Sequence, residues 1–163
     1  MNTREMEIEL ARFFDSRANI IIPNVHWGLG LAYEADLVIV NPSKYVTEVE
    51  IKVSKGDIKA DLSKKYYAHK SRKIKKFFYA VPENLIDCEY LPLDCGLIVV
   101  SEQGKKSRAR INKRSNRCKI IRPPRVNSRA EKLTDKEYSH LLHLGCMRIW
   151  NLKEKLLNIQ AKK

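Results

Sequence analysis

The sequence predicts an α/β protein in which a central mixed β-sheet is flanked by helices. Three observations predict it. Apolar runs of five to nine residues recur between residues 19 and 100, and turn residues bound them, as in strands. Segments with apolar residues at helical spacing stand before, between and after those runs. The chain has 163 residues of which 44% are apolar, enough for one core and an appendage.

The elements follow in order. Residues 4–14 read as a helix, because Met6, Leu10, Phe13 and Phe14 fall on one face. Residues 19–26 read as a strand whose Pro23 demands an edge position or a bulge. Trp27-Gly28-Leu29-Gly30-Leu31 is a loop. Residues 34–40 and 45–53 are the next strands, joined by the turn Asn41-Pro42-Ser43-Lys44. Ser54 is an N-cap, with Asp57 in the first turn of a helix that runs to about residue 72. Residues 76–81 and 96–100 are further strands, and Gln103-Gly104-Lys105 turns into a polar strand over 107–111. Residues 112–132 are basic and poor in periodic structure. Thr134 to Glu137 forms a capping box, opening a helix to about Leu157 with Leu141, Leu144, Met147 and Leu152 as packing residues. This divides the chain into a core over 1–111 and, over 112–163, a basic linker with a C-terminal helix. That helix packs back on the core or mediates a homodimer.

Composition restricts the partner. Lys and Arg outnumber Asp and Glu by 32 to 19, a net charge of +13. A clustered excess of that size favours a polyanion, nucleic acid before all others, over a merely soluble surface. No apolar run approaches the ~20 residues of a membrane span, and the N-terminus has no apolar signal core. A cytoplasmic, non-membrane protein is expected. Cys88, Cys95, Cys118 and Cys146 include no CxxC pair and form no ligand pattern with His26, His69, His140 and His143, so reduced thiols are expected.

The chemistry concentrates in residues 34–54. Strand side chains alternate between faces. Asp36, Val38 and Val40 therefore share a face, as do Glu48, Glu50 and Lys52. A turn centred on Ser43 sets Asp36 opposite Glu50 and Glu34 opposite Lys52, with opposed Cβ atoms about 5 Å apart. A one-residue slip would destroy this arrangement. Two carboxylates that close repel one another, and a divalent cation with oxygen ligands removes the conflict. Lys52 on the same face is placed to hold an attacking water or to neutralise charge on a phosphorane. A salt network on a solvated face is the plainer reading. Against it, Val38, Val40, Val49, Ile51 and Val53 make both strands apolar on both faces, where charges need a reason. Glu48 lies nearer the turn and reads as structural.

Asp36, a hairpin, then Glu50-Ile51-Lys52 resembles the PD-(D/E)XK nuclease motif. The order of helix, strand, hairpin, helix and strand resembles that family's restriction-endonuclease-like core. Glu48 to Asp57, Phe77 to Pro82 and Gly96 to Val100 are similar to small single-domain bacterial and phage members, some of them associated with DNA repair. The resemblance spans roughly residues 5–111. Ala35 stands where the motif's proline would be. The resemblance implies a metal-dependent deoxyribonuclease acting in DNA repair or phage DNA processing. Asp36 and Glu50 would bind Mg²⁺ or Mn²⁺, and Lys52 would assist the water. It also implies a helper glutamate on the first helix. Glu7, with Leu10, Ala11 and Phe14 beside it, is favoured over Glu5 and Glu9, which lie further round. The family's further polar group would fall near Asn24, an amide that is not counted as a ligand.

The helix after Ser54 is the expected DNA contact, through Lys55, Lys59, Lys64, Lys65, Tyr67, Lys70, Arg72 and Lys73. Phosphate neutralisation dominates non-specific DNA affinity, and tyrosine rings can stack on bases. Asp57 and Asp61 interrupt that field and read as partners of neighbouring lysines. A second basic block, residues 105–129, is a DNA-wrapping arm or a linker. The rival to an enzyme is a non-catalytic DNA-binding module on the same fold. An RNA-directed protein is disfavoured, since no RNP motif, GXXG loop or zinc knuckle is present.

Overall fold

The computed structural model describes residues 1–31, 33–61, 71–102 and 115–160. Helix α1 is Thr3–Phe13, followed by strands β1 (Ile20–Val25), β2 (Ala35–Val40) and β3 (Val46–Ile51). Then come α2 (Lys55–Asp61), β4 (Ile74–Pro82), a 3₁₀ turn at Glu83–Leu85, β5 (Gly96–Val100), β6 (Cys118–Arg122) and α3 (Asp135–Gln160). The six strands form one sheet in chain order. β1, β2 and β3 are antiparallel, β3, β4 and β5 are parallel, and β6 closes the sheet antiparallel to β5. The expected α/β architecture, a mixed sheet flanked by helices, is therefore present and is consistent with a restriction-endonuclease-like core.

The β2–β3 hairpin has the register centred on Ser43. Leu37 opposes Val49, Val38 opposes Glu48, and Val40 opposes Val46. The turn is closed by the Lys44 N–H donating to the Asn41 carbonyl at 2.8 Å, with Lys44 in the left-handed region at φ 63°. Alternation then sorts the strands onto two faces. Leu37, Ile39, Val49, Ile51, Phe78, Ala80 and Ile98 pack with Met6 and Leu10 of α1. Val38, Val40, Val46, Phe77, Tyr79, Val81, Leu97 and Val99 pack with Ile58 of α2 and with Leu141 and Leu144 of α3. β1 is an edge strand, which is why Pro23 is tolerated in it.

Local capping follows the sequence. Asn2 and Glu5 form a capping box on α1. The Ser54 hydroxyl accepts from the Asp57 N–H at 3.1 Å. Thr134 accepts from the Glu137 N–H at 3.2 Å, and Glu137 accepts from the Thr134 N–H at 2.8 Å.

Several expectations need correction. Residues 112–132 contain a strand, β6. It was illegible because it is an edge strand whose Ile120 and Ile121 are both exposed, so no alternation marks it. The helix after Ser54 is described as far as Asp61, its expected continuation toward residue 72 falls mostly outside the described residues, and Ser71–Lys73 are non-helical before β4 begins at Ile74. Met147 and Leu152 are exposed, because α3 runs beyond the surface it packs on. The turn at 103–105 and the strand at 107–111 lie outside the described residues, as do Lys64, Lys65, Tyr67 and Lys70. The cysteines are free, with Cys88, Cys95 and Cys118 buried and Cys146 exposed. Among the described residues no helix is long and apolar enough to cross a membrane.

Candidate active site

Asp36 sits at the start of β2 and Glu50 at the end of β3. The hairpin register carries one further step from Leu37–Val49 to set them side by side. Both belong to the α2-facing side of the sheet. Asp36 Oδ2 accepts from the Ile51 N–H at 2.7 Å, which ties the carboxylate to the end of β3. Burial raises the Asp36 pKa, while that N–H and the Lys52 charge oppose the rise. Burial also pushes Glu50 up to about 7, with the Asp36 charge adding to the shift and Lys52 opposing it. The two acids thus share a poorly solvated space and disfavour each other's ionisation.

Lys52 follows β3, and its N–H donates to the Ala80 carbonyl at 3.0 Å, so it runs beside β4. Its ammonium lies 2.7 Å from Glu50 Oε1 and 3.4 Å from Asp61 Oδ1. The expected partner Glu34 is exposed and precedes β2, so the Glu34–Lys52 pairing does not form. Burial alone would lower the Lys52 pKa. The charges of Glu50, Asp61 and Asp36 outweigh it and hold the ammonium above its usual value.

Asp61 and Tyr33 have contacts that the sequence did not mark, while Glu48 keeps its structural reading. Asp61, whose helical neighbours Lys64 and Lys65 lie outside the described residues, reaches beyond its own helix. It receives Lys52 and also accepts from the Tyr79 hydroxyl at 2.5 Å, because α2 lies over this face. Tyr33, unremarked in the sequence, donates to Glu48 Oε2 at 3.0 Å. Glu48 is fully buried, and burial pushes its carboxyl up to about 8, against the lowering effect of the Tyr33 hydrogen bond. The signal for these contacts was weak, since each joins residues fifteen or more positions apart.

The glutamates of α1 are separated by the helix. Glu5 is spent on the cap. Glu9 is engaged away from Asp36 and Glu50. It is buried and bonds Arg12 Nη1 at 2.7 Å and the Ser115 hydroxyl, with Arg117 3.6 Å away. Glu7 is half-buried, and its pKa is raised by burial and then by the Asp36 charge, so it is the α1 glutamate that senses the site. Asn24 has φ 53°, and its carbonyl accepts from Arg148 at 2.5 Å.

The fit to a divalent ion can be judged from the donors. Among the described residues, Glu50 Oε2 and Glu48 Oε1 are buried without a hydrogen-bond partner. No three acidic, His or Cys side chains among them stand ready as a complete metal cage. Mg²⁺ does not require one, because it takes one or two carboxylates and fills its shell with water and phosphate oxygens. Asp36 and the orphaned oxygen of Glu50 fit that requirement.

The basic residues expected to touch DNA divide into two groups. Lys55 and Lys59 are exposed on α2, beside the end of β3. Arg72 and Lys73 stand outside the helix. Lys73 is held by Glu137 at 3.0 Å and by Glu131 at 3.6 Å, and Arg72 lies 3.6 Å from Glu131.

The chain is similar in structure to a protein of unknown function from Silicibacter pomeroyi, SPO1766. The TM-score is 0.57 at 17% identity, over 94% of this chain and 89% of that one. At that identity the likeness is one of fold. No curated protein is significantly similar in sequence. The family model described as "DNA repair protein MmcB-like" matches residues 4–125, from α1 through β6 and every residue of the carboxylate cluster. The chain belongs to the MmcB-like family of DNA repair proteins.

Proposed function

We propose that this protein is a metal-dependent deoxyribonuclease serving DNA repair. Membership of a DNA repair family supports DNA as the partner, and the charge of +13 suits a polyanion. One observation carries the catalytic reading. Asp36, Glu50 and Lys52 converge at one end of the sheet around a buried Glu50 oxygen that has no partner among the described residues. Asp36 and Glu50 would hold Mg²⁺ or Mn²⁺, which when bound supplies positive charge to the phosphate and acidifies a water.

The chain's own groups have separable tasks. Lys52 stays protonated, because three carboxylates surround it, so it acts as a donor. It orients water or a phosphate oxygen and offsets negative charge that grows during P–O cleavage. Burial and the Asp36 charge push Glu50 up to about 7, a conflict that a bound cation would relieve by favouring the ionised carboxylate. Asp61 and Tyr79 hold the Lys52 side chain in place from α2 and β4. Lys55 and Lys59 line the approach and would bind phosphates.

A second reading is a DNA-binding module without cleavage. It is favoured by Lys52 itself, which already neutralises Glu50 and Asp61 without a metal. Two experiments separate the readings. The parent protein should nick duplex DNA with Mg²⁺ or Mn²⁺, and Lys52→Ala should slow nicking by about 10²–10³-fold while DNA affinity is retained. Calorimetric titration with Mn²⁺ should give heat that disappears in Asp36→Asn. Cleavage by Lys52→Ala at the parental rate would defeat the role given to Lys52. Absence of any Asp36-dependent heat would leave the binding module.

A further inference from the structure

The C-terminal half of α3 is an exposed surface that none of the described residues covers. α3 has 26 residues, but its packing is confined to the first half. Leu141 and Leu144 are buried, Gly145 lies against Ile22, and Arg148 reaches the Asn24 carbonyl. Every residue of 149–160 is exposed, a projection of about 18 Å of helix. Solvent-facing helix is normally polar, and this segment is not. Ile149, Leu152, Leu156 and Ile159 are each more than half exposed, and Trp150 and Leu157 are exposed beside them. An apolar patch of this kind on a charged protein marks an interaction site.

The spacing identifies the kind of partner. Ile149, Leu152, Leu156 and Ile159 repeat at intervals of three, four and three, the a and d spacing of one and a half heptads. The flanking e and g positions decide between a second copy and a different helix. They are Arg148, Lys153, Lys155 and Gln160, so every charged one is basic, while Glu154 falls on the opposite side. In a parallel self-pair g meets e, and in an antiparallel one g meets g and e meets e. Either arrangement opposes cation to cation, and the net charge of +13 on each copy adds to the repulsion.

We infer that α3 docks an acidic amphipathic helix of another protein, with an apolar seam and Glu or Asp on both sides of it. The family match ends at residue 125, before α3 begins. The inference is independent of whether the carboxylate cluster cuts DNA.

The test uses the full chain and two labelled three-heptad peptides with Ile at a and Leu at d. One carries Glu at e and g, the other Lys. Fluorescence anisotropy should show saturable binding of the Glu peptide, at least tenfold tighter than that of the Lys peptide, and weaker at 0.5 M than at 0.1 M salt. Leu152→Glu/Leu156→Glu should lose at least tenfold in affinity while its circular dichroism and melting temperature stay parental, since neither side chain packs on the domain. Light scattering should report a monomer. A stable homodimer, equal binding of both peptides, no saturable binding of the Glu peptide, or capture by phosphatidylglycerol vesicles in preference to it would each overturn the proposal.

Discussion

The two faces of the sheet are made from the same strands and behave as different materials. On the α1 side, Leu37, Ile39, Val49 and Ile51 close into a dry layer with Met6 and Leu10. On the α2 side, the intervening residues begin as a dry layer at Val38, Val40 and Val46. They then give way to Glu48, Asp36 and Glu50 as the strands reach their open end. Alternation alone creates the division, since each strand sends successive side chains to opposite faces. The difference teaches that one face holds the hairpin in register so that the other can hold like charges together. Ionised carboxylates in a poorly solvated site are unfavourable, and the apolar layer opposite supplies the compensating burial.

The sharpest way to divide the faces is to remove one group from each. Lys52→Ala should reduce cleavage by about 10²–10³-fold, the size expected for a preorganised donor at developing charge. Its melting temperature should fall little, and single-turnover kinetics beside thermal unfolding would check both. Leu37→Ala, on the dry face, should reverse the pattern. It should lose about 2–5 kcal/mol of stability in urea titration, with cleavage per folded molecule unchanged. If Leu37→Ala removed activity without loss of stability, the division of labour between the faces would be wrong.

Acidity offers a subtler test. Folded Glu48 holds its proton up to about 8 and folded Glu50 to about 7. In the unfolded chain both lose it near the ordinary glutamate value. Between those limits the folded state binds more protons, so stability falls as pH rises from about 5 to 8. Each unit of displacement is worth about 1.4 kcal/mol, which makes the slope measurable. Glu48→Gln should flatten much of it and cost little at pH 5.5, where the native carboxyl is already neutral. Mn²⁺ should raise the melting temperature more at pH 8 than at pH 6, and Glu50→Gln should lose that rise. A Glu48→Gln variant with the parental slope would exclude Glu48 as its source.

The smallest expected effect comes from a site belonging to neither face. Thr134→Ala removes the hydroxyl of the α3 cap and should lower stability by about 1 kcal/mol, measured by thermal unfolding, with cleavage intact.

Local structure was the most legible part. Period-two alternation around a four-residue turn was enough to place Leu37 opposite Val49, and from that register Asp36 beside Glu50. Ser54 and Thr134 announced their helices because a cap is satisfied within three residues of its own position. β6 left no such trace, since an edge strand with exposed isoleucines carries no alternation. The burial of Glu9 left no trace either, because it depends on Ser115 and Arg117, far along the chain.

The sequence by itself determined the first five strands, the faces of the hairpin, its register and the convergence of two acids and a lysine, because these depend on neighbours a few residues away. Only the tertiary structure decided that Lys52 turns to Glu50 and Asp61, that Tyr33 caps a buried Glu48, and that α3 outruns the sheet it packs on. Each of those outcomes depends on which distant element comes to rest over a given face, and on how much water it leaves there.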